Sequence, residues 1–498
     1  MEQLSYGCLK KKGYQGYLKK EAPERVLQFG EGNFLRAFVD YFIDVLNEKT
    51  DFDGKVVIVQ PIPQKKEGGM TERFEKQEGL YTLYLRGMQE GKQVAEKRII
   101  SCVNRCINAY NDFEELMKCA ENPDLRFIVS NTTEAGISCN PEDRFEDKPA
   151  GSFPGKLTQF LYRRFKTMGE EQAKGFVLLP CELIDDNGKE LERCVLQYAE
   201  WWGLEESFKC WVKEKNSFCS TLVDRIVTGY PAKEIQTLQE EHGYVDELID
   251  TGEIFGFWVI EGEGKLEEEL PFAKAGLPVL FTDDQRPYKQ RKVRILNGAH
   301  TSFVPGAYLA GQNIVRECMQ DKVIRGFMNK TIQEEIIPTM TLPKEELTAF
   351  AEAVADRFQN PYIDHALLSI CLNSTSKWKV RVLPSLKGYV AQKGQLPMCL
   401  TASFAFYLCF YRGVRRETDA LIGERNGEEY QISDESTVLA FFEQHAGDTA
   451  TELVHAVCGK EEFWGESLLE IPNFESTVSE LVERVWTEGA YQVMASVQ

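Results

Sequence analysis

An apolar run, Val26–Phe29, ends at Gly30-Glu31-Gly32, and behind it Phe34, Phe38, Phe42 and Leu46 recur at helical spacing. A strand passing through a glycine loop into an amphipathic helix, predicted here over Asn33–Asn47, is the opening unit of a parallel sheet, because a parallel neighbour is reached only by a crossover. Further short apolar runs stand at Val56–Val59, Phe127–Val129 and Phe176–Leu179, with helical stretches such as Asp112–Cys119 and Leu157–Phe165 between them. The first half therefore reads as a parallel α/β sheet. After about Pro287 the texture changes, and helical periodicity dominates in Lys344–Phe358, Leu396–Arg412, Ser436–Gln444 and Thr477–Thr487. The Gly/Glu-rich strip Glu261–Leu270 reads as a surface excursion before that change. A chain of 498 residues exceeds one ordinary core. The expectation is two domains, residues 1–286 with the sheet and residues 287–498 mainly α-helical.

Composition narrows the partners. The 58 basic and 78 acidic residues leave a net charge of −20, which repels nucleic acid and anionic membrane alike. The first twenty residues contain no apolar core of a secretory signal. The greasiest run, Cys399–Tyr411, is too short to span a bilayer and reads as a buried helix. Fourteen scattered cysteines form no C-x-x-C pair, as expected for free thiols in a reducing cytosol rather than for disulfides or a metal site. Cys102 and Cys106, the nearest pair, read as packing residues. A small-molecule partner and a monomer or small homo-oligomer are expected.

Two segments carry chemistry. Gly30 and Gly32 sit between strand and helix, where a dinucleotide pyrophosphate meets backbone N–H groups. The third glycine of G-x-G-x-x-G is replaced by Leu35, so a plain turn explains the pair equally well. The acid that usually grips the adenosine ribose is absent at the end of the second strand, where Gln60 stands; Asp51 and Asp53 precede that strand and read as turn residues. The second segment is Lys292-Val-Arg294-Ile-Leu-Asn297-Gly-Ala-His300, followed by a helix-like run to Leu309. An amine, an amide and an imidazole suit reversible carbonyl/alcohol chemistry. Lys292 exchanges the proton, Asn297 holds the oxygen (a contact worth about 3 kcal/mol in a transition state), and His300 binds the same oxygen or a substrate hydroxyl. An ordinary lysine titrates near about 10.4 and needs desolvation or a cationic neighbour, for which Arg294 and His300 are candidates. Singly, each residue has a structural reading; the joint spacing favours the chemical one.

The pattern K-x-R-x-L-N-x-x-H resembles the signature of the mannitol dehydrogenase family, the polyol-specific long-chain dehydrogenases, and its wording here is nearest the uronate-reducing branch. Gly30-Glu-Gly32-Asn33-Phe34-Leu-Arg36-Ala resembles the family's G-x-G-x-F-x-R-A opening, and the blocks Gln77–Thr82 and Asn131-Thr-Thr133-Glu134-Ala-Gly136 support it. The resemblance implies a Rossmann-type first domain that binds NAD(H) through Gly30, Gly32, Asn33, Phe34, Arg36, Gln60, Thr133 and Glu134, although the sequence does not exclude NADP. In Pro180-Cys-Glu182-Leu183-Ile-Asp-Asp-Asn187-Gly188, Leu183 replaces an asparagine that contacts substrate in the mannitol enzyme, which counts against mannitol. Leu222-Val-Asp224-Arg225-Ile matches M-V-D-R-I, so Asp224 either bonds a sugar hydroxyl or pairs with Arg225. Trp258–Glu261 and Arg357–Pro361 match family blocks of architectural character. In Asn373–Pro384, Lys377 falls on a substrate-contacting lysine, while Ser369 replaces an arginine. If that segment is extended, Lys377, Lys379 and Arg381 form one cationic row that receives a carboxylate; a solvated basic face is the alternative.

The implied activity is NAD(H)-linked, metal-independent oxidoreduction of a sugar acid, with the D-tagaturonate/D-altronate pair foremost. The fructuronate/mannonate pair comes next, then mannitol or arabinitol. A non-catalytic dinucleotide-binding sensor is the alternative of another class, and it has no need of a proton relay.

Overall fold

The apolar runs become a six-stranded, all-parallel sheet: β1 Glu24–Phe29, β2 Lys55–Gln60, β3 Val103–Asn108, β4 Phe127–Ser130, β5 Val177–Pro180 and β6 Ser217–Phe218, in the spatial order β3-β2-β1-β4-β5-β6. These coordinates are a computed structural model that describes residues 1–64, 67–133, 135–169, 173–262, 265–417 and 419–498. Residues Met1–Arg86 and Val94–Gln285 form one compact unit; Gly87–Gln93 and Arg286–Gln498 form a second. Strands β3 and β6 carry too many polar residues to stand out as apolar runs.

Both faces of the sheet are covered, which is why its central strands are almost wholly apolar. Leu27 lies level with Val57 on one side and Ile128 on the other. Alternation then divides the side chains. Val26, Val56 and Ile58 join Phe42 and Trp258 in one cluster, and Leu27, Phe29, Val57 and Val59 join Leu157, Leu161 and Trp211 in the other. The helix expected over Asn33–Asn47 is broken into α1 Asn33–Ala37 and α2 Val39–Lys49 by Phe38, with φ −118° and ψ −73°. The break seats Phe38 between Phe42, 4.7 Å away, and Trp258, 5.6 Å away. Helix α3, Phe153–Met168, and helix α4, Asn187–Trp201, cover the second face. The strip after Glu261 includes a short helix, Leu266–Glu269, whose Leu266 is buried with Leu270.

The second unit is mainly helical. A π-helix, Lys292–Asn297, runs directly into α5, Gly298–Leu309. Helix α6, Lys344–Phe358, α7, Ser374–Arg381, α8, Met398–Phe410, and α9, Phe474–Glu488, follow. The greasy run is α8, buried along nearly its whole length; the Glu335 carboxylate accepts hydrogen bonds from the free N–H groups of Cys399 (2.9 Å) and Leu400 (2.8 Å) at its start. An antiparallel sheet of Gly413–Arg416, Leu421–Arg425 and Glu428–Ile432 interrupts the helices. The fourteen cysteines are free, and among the described residues no helix is long and apolar enough to cross a membrane.

One side chain ties the loop after β5 to the segment after β6. Asn187 donates to the carbonyls of Pro180, Glu182 and Thr221, each at 3.0 Å, and accepts from the Thr221 N–H at 2.8 Å. Asn187→Ala strands these buried groups. It is expected to lower stability by about 3 kcal/mol, read as a fall in the urea unfolding midpoint; an unchanged midpoint would assign the work to other contacts.

Candidate active site

The strand order places a switch point between β1 and β4, where the chain's progression reverses and the loops after the two strands part to leave a crevice. A cavity of about 460 Å³ lies there, walled by the loops after β1, β2 and β4 and by the start of α3. A larger groove, about 880 Å³, is bordered by Glu67, Glu72, Glu75, Glu78 and Asp112 and is unsuited to a phosphate.

At the mouth of the crevice Gly30 has φ +129°, and a Cβ there would lie 3.1 Å from the Asn131 carbonyl oxygen. Only glycine holds this turn without strain. Nothing stands within 4 Å of a Cβ built on Gly32, so the loop's surface is open toward the cavity, as a cradle for a ligand's backbone approach has to be. Leu35, in the missing glycine's place, is buried against Gly30 and fills the gap between helix and strand. The other residues of this block divide. Arg36 does not reach the cavity: it is buried, donating to the carbonyls of Glu31 (3.2 Å) and Leu248 (2.6 Å) and to the Asn33 side chain (2.5 Å), with Asp250 at 3.8 Å. The guanidinium shapes the loop instead of meeting a phosphate. Phe34 likewise turns inward, stacked 5.2 Å from Phe38. Gln60 is buried and committed to Asn108, Glu31 and Gln64. Thr133 lines the cavity with φ +75°, strained for a β-branched residue. Glu134 lies outside the described residues.

Three residues that the sequence did not single out hold this crevice together. Buried Glu182 accepts from the Thr132 N–H and hydroxyl, both at 2.9 Å, and from Ser130 at 3.0 Å. Asp143 accepts from the N–H groups of Gly151 (2.9 Å) and Ser152 (3.0 Å) and from the Tyr198 hydroxyl (2.7 Å). Burial alone would raise its carboxyl, but these bonds prevail and hold it below the ordinary value. Lys156, on the first turn of α3, donates to the Gly151 carbonyl at 2.6 Å, and burial pushes it down to about 8. Their signal lies in hydrogen bonds made only once the loops have folded, which spacing does not encode. Asp224 is buried at the end of the strand Thr221–Asp224, while Arg225 donates to the backbone carbonyls of Ala37, Phe255 and Ile254. Leu183, after β5, is 59% exposed.

In the second unit, Lys292 and Asn297 are five residues apart. On an α-helix that spacing separates two side chains by about 140°. In the π-helix Lys292–Asn297 each hydrogen bond spans five residues, so the lysine and the amide return to the same side. Both are half-buried, and the Asn297 carboxamide makes no hydrogen bond to a described residue. His300 is 7% exposed, lies flat on Phe358 at 4.0 Å, and meets the edge of His365 at 5.4 Å. Its Nε2 is buried with no hydrogen-bond partner. Burial first, then the positive charges of His365, Arg381, Arg357 and Lys377, hold the imidazole well below its ordinary value. His300 is therefore neutral and is no cationic neighbour for Lys292. Arg294 points elsewhere, to Ser385 (2.8 Å) and the Thr339 hydroxyl.

The basic row is corrected in the same way. Ser374–Arg381 is helical, so Lys377 and Arg381 share a face one turn apart and Lys379 projects from another, beside Gly465. Lys377 donates to the Ile370 carbonyl at 2.9 Å, and Arg381 makes no hydrogen bond or ion pair with a described residue. Burial lowers both from their ordinary values. Two partly desolvated cations beside a neutral imidazole with a spare nitrogen have the chemistry to receive an anion that also carries hydroxyls. Among the described residues no group of three His, Cys, Asp or Glu side chains gathers to hold a metal ion.

Two family models match the chain: the mannitol dehydrogenase Rossmann domain over residues 24–274 and the mannitol dehydrogenase C-terminal domain over residues 284–486. The altronate oxidoreductase of Cronobacter sakazakii is 48% identical over 480 residues, 95% of this chain and 96% of that protein. That of Yersinia enterocolitica is 45% identical over 481 residues, 95% and 97% of the two, and that of Escherichia coli O7:K1 is 47% identical over 474, 94% and 95%. Among solved structures, Pseudomonas fluorescens mannitol 2-dehydrogenase in ternary complex with NAD and D-mannitol aligns with TM-score 0.68 at 21% identity over 99% of each chain. Substrate-free D-sorbitol dehydrogenase aligns with TM-score 0.78 at 21% identity over 99% of this chain and all of that one. At such identity the two structures speak to the fold alone.

The state of His300 has a measurable consequence. Its folded value lies below its unfolded one, so below about pH 6.5 the unfolded chain takes up a proton that the folded chain refuses, and stability falls with acid. His300→Phe is expected to flatten the fall in urea midpoint between pH 7.5 and 5.5. An equal slope in both proteins would show that His300 titrates normally.

Proposed function

The chain belongs to the mannitol dehydrogenase family, and from that premise we propose that it is an NAD(H)-linked oxidoreductase interconverting D-tagaturonate and D-altronate in hexuronate breakdown. Near-full-length identity to altronate oxidoreductases supports the activity. The observation that carries the acid substrate is the pair Lys377 and Arg381 beside the unpartnered Nε2 of neutral His300. An uncharged polyol offers two cations withdrawn from water no counter-charge, whereas a carboxylate binds them through charge-assisted hydrogen bonds.

NAD(H) fits the first unit: the Gly30–Gly32 cradle, open above Gly32, lies at the crevice where open parallel sheets hold dinucleotides. Gly30, Gly32, Asn33 and Thr133 of the β1 and β4 loops would hold it, with Arg36 and Gln60 fixing the loops. When bound it supplies or receives the hydride. The chain's own residues manage the proton and the oxygen. In the reductive direction the Lys292 ammonium gives a proton to the carbonyl oxygen as the C–H bond forms at carbon, leaving an alcohol and a neutral amine that solvent reprotonates. In the oxidative direction neutral Lys292 removes the hydroxyl proton. The Asn297 carboxamide donates to that oxygen from the same side, and His300 bonds a neighbouring hydroxyl. Lys377 and Arg381 take the carboxylate; Lys379 has no part. Asp224 is assigned to a sugar hydroxyl.

The test is the loss of NADH absorbance with tagaturonate, fructuronate and fructose. Turnover is expected at least tenfold higher with tagaturonate, and Arg381→Gln should raise its KM about tenfold or more, the loss expected for a charged hydrogen bond, while leaving fructose no worse. Preference for fructose, or an unchanged KM, would overturn the acid-substrate reading. Separately, Lys292→Ala is expected to abolish turnover while the protein still binds NADH. Activity retained at neutral pH would remove this lysine from the proton path.

A further inference from the structure

The end of β2 is where a dinucleotide-binding sheet ordinarily presents an acid to the adenosine ribose, and here the position is Gln60. The structure nevertheless puts a carboxylate at that end of the strand. Glu31, the middle residue of the glycine loop, lies across to Gln60, whose Nε2 donates to Glu31 Oε1 at 3.1 Å. The direction of that bond is fixed. Gln60 Oε1 accepts from Asn108 Nδ2 at 2.9 Å, and Asn108 is itself held by donating to the Ile62 carbonyl (3.3 Å) and accepting from the N–H groups of Tyr110 (2.9 Å) and Asn111 (3.1 Å). With its oxygen taken, Gln60 has only its NH₂ to offer, to Glu31 and to Gln64. The Glu31 main chain is anchored too, its carbonyl accepting from Arg36 Nε at 3.2 Å. Glu31 lines the switch-point cavity together with Pro61 and Ile62, and Ile62 is a 57% exposed apolar side chain. The second carboxylate oxygen makes no hydrogen bond to a described residue.

We propose that Glu31 supplies from the glycine loop the carboxylate that the second strand lacks: it accepts hydrogen bonds from the 2′- and 3′-hydroxyls of the adenosine ribose and repels a 2′-phosphate, with Gln60 as its positioning residue. The assignment rests on the dinucleotide reading of this cavity. It accounts for a buried glutamine at a strand end where an acid was expected: Gln60 orients the acid instead of being it. It also makes the chain selective for NAD(H) over NADP(H) without an acidic residue at the end of β2.

The full-length protein tests this by binding alone, read as energy transfer from tryptophan to the dihydronicotinamide of NADH, NADPH and 2′-deoxyadenosine NADH. Glu31→Gln still accepts from Gln60, so the loop is kept and only the charge is lost. Wild type is expected to bind NADH far more tightly than NADPH. Glu31→Gln is expected to lose about tenfold in NADH affinity, as for a charged hydrogen bond, to gain in NADPH affinity, and to bind the 2′-deoxy analogue as wild type does. Gln60→Ala, which leaves the charge but frees it, should weaken NADH while keeping NADPH excluded. A NADH-to-NADPH ratio unchanged in Glu31→Gln, or a wild type that prefers NADPH, overturns the assignment while leaving the dinucleotide site standing. A wild type that binds neither dinucleotide overturns the cofactor reading and this inference with it.

Discussion

Where helix α5 passes helix α7, a hydrogen stands in place of a side chain: a Cβ at position 298 would lie 3.0 Å from the carbonyl oxygen of Arg381. The neighbour is backbone and cannot swing aside, so the two helices meet this closely only because residue 298 is glycine. Everything proposed for the second unit follows from that approach. His300 sits two residues beyond the glycine and Arg381 is the carbonyl's own residue, so the buried imidazole comes within the field of cations that add to the effect of burial in keeping it neutral. On the other side of Gly298 the chain is wound as a π-helix, which turns Lys292 and Asn297 to one side. One close contact and one widened turn convert a linear motif into an arrangement.

That arrangement was only partly legible. The chain holds three Asn-Gly pairs, at 187–188, 297–298 and 426–427, and the dipeptide alone predicts a turn at each. Only the third is one: Asn426 and Gly427 both have positive φ and join Arg425 to its partner Glu428 in a hairpin. At 187 the asparagine is a hydrogen-bonding strut at the start of α4, and at 297 the pair lies inside continuous helix. Local propensity describes what a dipeptide does when nothing packs on it. At two of the three sites tertiary contact decided otherwise. The row Lys377, Lys379 and Arg381 failed for a related reason, since alternation was assumed where α7 is helical, and a helix keeps the first and third of these while turning the second away.

In the first unit the sheet was legible where burial on both faces made strands apolar, and illegible where edge strands β3 and β6 carry polar residues. The glycine loop was read correctly as a strand-to-helix joint, but not the inward course of Arg36 and Phe34. Both belong to the motif as surely as the glycines do, yet they act on the loop from behind. A motif records which residues a geometry needs and does not say which of them touch the ligand. Glu182, Asp143 and Lys156 show the complementary case, residues that fix the crevice walls through hydrogen bonds to loop backbone and leave no periodic trace.

The charges of α7 set the energetic problem that the candidate site solves. Two like charges one helical turn apart repel by a few tenths of a kcal/mol in water, and more once both are drawn from solvent, where a pair at 4 Å and an effective dielectric of 20 interacts by about 4 kcal/mol. Fold stability alone would favour a glutamate in that cluster, and a chain with twenty more acids than bases has no shortage of them. Instead neither Lys377 nor Arg381 makes an ion pair with a described residue, Asp434 acting on Lys377 only from farther off, and burial first, then these cations, keep His300 neutral with a nitrogen to spare. A local violation of good packing chemistry is the mark expected of a site that is completed by its ligand. The sugar acid proposed for it would bring a carboxylate for the cations and a hydroxyl for the imidazole in the same small molecule.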